Sequence, residues 1–238
     1  MLGATDIERL LVVTAHPDDV DFGSAGTVAT LTAQGVQITY CLVTDGDAGG
    51  SDRAVSRAEM ASLRRAEQTS AAAHVGVHDL IFLGHPDGRV VADLSLRRDI
   101  SRVIRHVRPN VVLGQSPERN LDRIYASHPD HLAAGEATMC AVYPDARNPF
   151  AFPELLEEGL EPWAVKELWI SGHATVSDVV DVTEHIDAKF AALLCHASQH
   201  PDPEGMQIRV KAWMADTAQA HGLPEGRYAE GYRVVSNL

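Results

Sequence analysis

The chain has 238 residues, enough for a large domain with a buried core, and its 45% apolar and 22% charged residues are ordinary for a soluble globular protein. Thirty-three Asp and Glu against 20 Lys and Arg give a formal net charge of -13, which disfavours nucleic acid or an anionic membrane surface as a partner. No apolar run reaches the ~20 residues of a spanning helix, and the scattered Cys41, Cys140 and Cys195 suit neither a disulfide framework nor a cysteine zinc site.

The first ten residues lack the basic flank of a signal peptide, so the expected location is the cytoplasm. Residues 10–13 read as a buried strand running into His16-Pro17-Asp18-Asp19, where Pro17 stops the ladder. Gly23-Ser24 offers a helix start and Gly35 a stop. A second strand, 38–43, ends in Thr44-Asp45-Gly46-Asp47, and the Gly- and Asp-rich stretch 47–52 reads as a loop. Residues 54–75 lack Pro and Gly and predict a long helix closed by Gly76. A third strand at 80–83 opens into Gly84-His85-Pro86-Asp87-Gly88, a helix follows at 93–106, and a fourth strand lies at 110–113. After a polar loop through Tyr125, His128-Pro129-Asp130-His131 stands at the mouth of an Ala-rich helix. Four prolines make 144–163 an irregular excursion; strands at 168–170 and 179–182 and a helix at 186–197 follow.

No repeat or linker divides the chain, so 1–238 reads as one domain. Strands alternating with helices predict an α/β fold with a mostly parallel sheet flanked by helices. Polar clusters follow each of the first four strands. In such sheets the loops after strand C-termini share one edge, where ligands bind, so His16, Asp18, Asp19, Asp45, Asp87 and 115–131 can converge.

Two imidazoles and a carboxylate are a common donor set for catalytic zinc, leaving one position open. His16 and Asp19, three residues apart in a tight loop, could supply two donors and His131 the third. The set implies one Zn2+ per chain and is compatible with Fe2+ or Co2+. Asp18 would then take a proton from water, and His128 would stabilise an oxyanion or protonate a leaving amine. Asp130, beside the imidazoles in sequence, could orient one of them. If Asp130 flanks His128, that imidazole keeps its proton above the ordinary ~6.5. The competing structural explanation for either His-Pro-Asp string is a turn or cap; two strings on one sheet edge weaken it.

The two strings, with Thr44-x-Gly46, Arg64-x-x-Glu67, Pro86-Asp87-Gly88, Lys189 to Gln199 and Tyr228-Ala-Glu230 in order, resemble the LmbE-like/PIG-L family of zinc-dependent N-deacetylases over roughly residues 9–235. The resemblance implies a Rossmann-like fold and removal of an N-acetyl group from an amino sugar or other small-molecule glycoconjugate. It implies His16, Asp19 and His131 as metal ligands, Asp18 as base, His128 as electrophile or acid supported by Asp130, and Arg64 as a substrate contact. Asp87 and Tyr125 are further substrate-contact candidates; some members carry a tyrosine shortly before the second motif, where Ala126 and Ser127 stand here, and Tyr125 is one place earlier. A second departure is Val20, with Asp21 next, where the family commonly has Glu. Outside the cleft, Arg64 and Glu67 would be only an i,i+3 surface pair, and His196 a structural histidine. Two other functions fit the same donors: a metal-dependent hydratase of an unsaturated carboxylic acid, which calls for several basic residues near the site, and a non-catalytic metal binder, which has no need of Asp18. A homo-oligomer is compatible with all three.

Overall fold

A computed structural model describes residues 1–50, 52–121 and 124–237; the side chain of Tyr125, Asp122 and Arg123 lie outside that description. In chain order the elements are β1 (Arg9–Thr14), α1 (Asp19–Ala33), β2 (Gln37–Thr44), α2 (Arg57–His74), β3 (Asp79–His85), α3 (Leu94–Val107), β4 (Val111–Gln115) and α4 (Pro129–Cys140). There follow the one-turn α5 (Glu154–Glu157), β5 (Glu167–Ser171), β6 (Asp178–Asp181), α6 (Ile186–Leu194), α7 (Pro203–Ala220) and β7 (Ala229–Ser236). One seven-stranded sheet, ordered β3-β2-β1-β4-β5-β7-β6, organises a single α/β domain. The strands β3, β2, β1, β4 and β5 are mutually parallel, and β7 runs antiparallel between β5 and β6.

Strand alternation builds two cores. Leu10 and Val12 of β1 face one core, with residues of α1, α2 and α6; Leu11 and Val13 face the other, with α3 and α4. Both faces of β1 are therefore dry, which is why it reads as a continuous apolar run rather than an alternating one. The neighbours of β1 are β2 on one side and β4 on the other. The chain leaves β1 towards one sheet edge and later returns to build the other, so a crevice opens beyond the C-terminal ends of β1 and β4.

Helix starts follow their caps. Ser56 and Glu59 form a reciprocal capping box that sets the first turn of α2 three residues later than the pattern predicts. Asp93 caps α3 through the Leu96 N–H. The α1 helix begins at Asp19 rather than at Gly23-Ser24. That puts Asp19 in the first helical turn and leaves 15–18 as the whole connection from β1. The C-terminal pair α7 and β7 is absent from the sequence reading. Its signals were Asp202, whose side chain caps the Gly205 N–H, Pro203 in the first turn, and buried Met206, Val210, Met214 and Ala218 at four-residue spacing. No helix among the described residues is long and apolar enough to cross a membrane.

Candidate active site

The β1–α1 connection curls because Asp19 reaches back: its Oδ2 accepts the His16 N–H at 2.7 Å. Asp18, between them, adopts the left-handed conformation (φ 89°, ψ −29°), which a non-glycine residue holds only where its surroundings enforce it. The α2 helix supplies that enforcement. Arg64 donates to the Pro17 carbonyl, and Gln68 Oε1 accepts the Asp18 N–H at 2.8 Å. Both polar groups of the 17–18 peptide are thus held by residues one turn apart on one helix. Arg64 Nη2 also lies 3.2 Å from Asp18 Oδ2, and Nη1 donates to the Gly46 carbonyl at 3.3 Å. A side chain at Gly46 (φ +66°) would collide with this guanidinium, so the Thr44-x-Gly46 pattern reflects close packing of backbone on Arg64.

Across the crevice, His128 is the N-cap of α4, with Pro129 at the first helical position; His128 Nδ1 accepts the Asp130 N–H at 3.1 Å. His131, one turn in, points its Nε2 at Asp19 Oδ1 (3.0 Å) and at His16 Nδ1 (3.2 Å). His16 Nδ1 lies 3.4 Å from the other oxygen, Asp19 Oδ2, so the three side chains form a tight triangle in which Asp19 turns a different oxygen to each imidazole. The other nitrogen of His16, Nε2, faces Asp87 Oδ1 at 3.0 Å and Asp130 Oδ2 at 3.3 Å. Both carboxylates are anchored in turn: Asp130 accepts the Gly88 and Val90 N–H groups, and Asp87 accepts the Ala48 N–H. Among the described residues, nitrogens of His16, His128 and His131 lie within 4.8 Å of one another, as do donor atoms of His16, Asp87 and Asp130. These His and Asp side chains could hold a metal ion.

The electrostatics ask for a cation. Burial works against a charge on His16, yet Asp130, Asp19 and Asp87 outweigh it and raise the imidazole to about 12. Burial likewise pushes Asp19 up, but His131 and His16 hold it well below the usual carboxylate range. Asp87 behaves the same way, its desolvation overcome by His16, and falls to about 2. Asp18 differs: burial, reinforced by the charge of Asp19 and only partly offset by Arg64, pushes it up to about 7. A cluster of carboxylates this dry, retaining a proton on its central imidazole, is the electrostatic setting that a metal ion would satisfy in the proton's place.

Three expectations change. Asp130 does not orient His128 with its carboxylate; an N2 residue points that group along the helix flank, here to His16, and only its backbone N–H meets His128. His128 consequently loses its proton more easily than an ordinary imidazole, because burial and the charges of His16 and His131 outweigh Asp130. Arg64 and Glu67 do not form a surface pair: Arg64 is buried on Asp18, while Glu67 accepts from the Ser198 N–H and hydroxyl. Asp87, placed among the substrate contacts by the sequence, has its carboxylate against His16 and Ala48. The Tyr125 side chain lies outside the described residues.

A buried polar layer lies beneath the site, with His196 in it as the structural histidine expected from the sequence. Asp21 accepts from Gln68 Nε2 at 2.9 Å and pairs with His196 Nε2 at 2.8 Å. Lys189 donates to the carbonyls of Asp21 and Phe22 and to Glu230 at 2.6 Å, and Glu230 accepts the Gly26 and Thr27 N–H groups. Every one of these charges is paired, as burial demands. Val20, where Glu was expected, is core; the acidic role at this turn falls to Asp21.

From the triangle a cleft of about 780 Å³ runs outward, with Asp19 and His131 at its inner end and residues of α7 at its outer end. A second, open hollow lies at the opposite end of the strands, around Arg9, Gln37 and Thr39, away from every group described above.

Residues 11–142 match the family model for PIG-L, described as GlcNAc-PI de-N-acetylase. The diacetylchitobiose deacetylase of Thermococcus kodakarensis is 31% identical, over 98% of this chain and 85% of that protein. The N,N'-diacetylchitobiose deacetylase of Pyrococcus horikoshii, solved with an inhibitor, superposes with a TM-score of 0.90 at 27% identity, covering 98% of this chain and 85% of that one. The 4-carboxy-2-hydroxymuconate hydratase of Pseudomonas putida shares the fold with a TM-score of 0.79 at 22% identity, covering 96% of both chains.

Proposed function

Because the chain belongs to the GlcNAc-PI de-N-acetylase family, we propose that it is an amidohydrolase that removes the acetyl group from an N-acetylated amino sugar or glycoconjugate, with a divalent metal held by His16, Asp19 and His131. The observation that carries this reading is the donor triangle. Tetrahedral zinc with bonds of about 2.0–2.1 Å sets its donors roughly 3.3 Å apart; His16 Nδ1 and His131 Nε2 lie 3.2 Å apart, and the Asp19 carboxylate meets them through its two oxygens, Oδ1 at 3.0 Å from His131 and Oδ2 at 3.4 Å from His16. His16 would bind through Nδ1, and its Nε2–H would donate to the carboxylates of Asp130 and Asp87, the outer support that fixes the tautomer of a ligating imidazole. When bound, the metal supplies Lewis acidity towards a carbonyl oxygen and a water.

The protein's own groups divide the remaining work. Asp18, held beside the triangle by its left-handed backbone, takes the proton of the attacking water and returns it to the departing nitrogen, since an amide anion leaves poorly. His128 is neutral, with Nδ1 occupied by the Asp130 N–H, so Nε2 carries the hydrogen and donates to the developing oxyanion. Arg64 keeps Asp18 in place and steadies its charged form.

The test is acetate release from a panel of N-acetylated hexosamines and their glycosides, with zinc added and with zinc removed by chelator. Metal-dependent release that Asp18→Asn abolishes supports the assignment. Release that is indifferent to chelation, or an Asp18→Asn protein with wild-type kcat, refutes it.

A further inference from the structure

Resting on that reading, we propose that the acetamido sugar carries an apolar aglycone, an alkyl or aryl group, which occupies the outer arm of the cleft. The two ends of the cleft differ in chemistry. Next to Asp19 and His131 the walls are Gln115, Ser116 and Asn120, which suit a polyhydroxylated ring. Further out the walls become Phe22, Val176, Met206, Val210 and Trp213, three of them from α7. Met206 and Val210 belong to the apolar cluster that packs α7 onto α6, so this wall is rigid core with one face turned to the cleft. The arm is continuous with the donor triangle, so a substrate seated at the metal end extends into it.

Size and polarity choose the occupant. At about 780 Å³ the cleft falls in the range that encloses a drug-sized ligand, more than one sugar ring with its acetyl group requires. Gln199, His200 and Thr217 also line the cleft, so a second sugar would find some partners, but against the five apolar side chains several of its hydroxyls would stay unpaired, and a buried unpaired hydroxyl weakens binding. Asp202 and Arg209 also line the cleft; both are largely exposed and are paired with each other at 3.3 Å. An alkyl or aryl group loses nothing against the apolar walls, and each methylene it buries strengthens binding roughly fourfold.

The experiment compares kcat/KM for acetate release from methyl, butyl and hexyl N-acetylglucosaminides and from N,N'-diacetylchitobiose, using the whole metal-loaded protein. The inference expects hexyl over methyl by a factor on the order of 10²–10³, the disaccharide below the hexyl glycoside, and a hexyl-to-methyl ratio that collapses towards one in Trp213→Ala. Val176→Gln, at a half-buried position of the same cleft, serves as a second variant should Trp213→Ala fail to fold. Equal rates along the alkyl series, or a preference for the disaccharide, overturn the apolar arm and leave the deacetylase reading standing. No acetate from any of the four overturns both. A dimer in sedimentation that Trp213→Ala dissociates would show the arm to be a subunit contact, and so would overturn it too.

Discussion

Gln68→Leu tests whether α2 holds Asp18 in its working conformation. Leucine matches the volume but offers no acceptor for the Asp18 N–H and no donor for Asp21, both of which Gln68 satisfies at 2.8 and 2.9 Å. Leaving a buried N–H without a partner costs about 1–3 kcal/mol. The left-handed φ of 89° at Asp18 itself costs about 1–3 kcal/mol, which the two α2 anchors offset. With one anchor gone, the relaxed backbone gains by about 1–2 kcal/mol, so the ratio of displaced to working Asp18 rises roughly 5–30-fold. The measured quantity is kcat for acetate release, expected to drop by up to that factor. KM should move little and metal content should stay near that of the wild type, because Gln68 touches none of His16, Asp19 and His131. A variant that merely destabilised the fold would lower Tm, and its kcat would return to the wild-type value once rates are divided by the folded, metal-loaded fraction. Wild-type kcat in a folded Gln68→Leu protein would refute the argument.

Metal analysis of protein purified without chelator should find about one divalent ion per chain, and His131→Ala should lose most of it; retention with unchanged affinity would move the site. Asp18→Asn should lower kcat by about 10²–10⁴ while keeping the metal. The His196–Asp21 pair should leave a pH signature in stability. Burial alone would lower the His196 pKa, but Asp21 outweighs it and the folded value is raised. Its contribution is therefore complete below the unfolded value of about 6.5 and fades as pH climbs through the folded value. The stability gap between wild type and His196→Gln, from denaturant unfolding, should accordingly be larger at pH 6 than at pH 9; a constant gap would contradict the pairing.

What could be read from the chain and what could not follow from how each feature is encoded. The His16 and His128 strings were legible because metal and acid–base chemistry needs particular residue types, and a short loop or helix mouth keeps them adjacent in sequence. The parallel sheet was legible because strands buried on both faces read as apolar runs punctuated by polar loops. Adjacency also misled: Asp130 follows His128, yet the geometry of a helix start sends its carboxylate to His16, 114 residues away. The Asp21–His196 pair spans 175 residues, and nothing local marks either member as the other's partner. The outer wall of the cleft was the least legible part, for a related reason. Met206, Val210 and Trp213 are residues that any amphipathic helix uses to reach a core, and no pattern in one sequence separates a face turned to core from a face turned to substrate. Chemistry that demands rare residue types leaves a trace in the sequence, whereas selectivity built from common apolar side chains becomes visible only when α7 is seen to close the cleft that His131 and Asp19 begin.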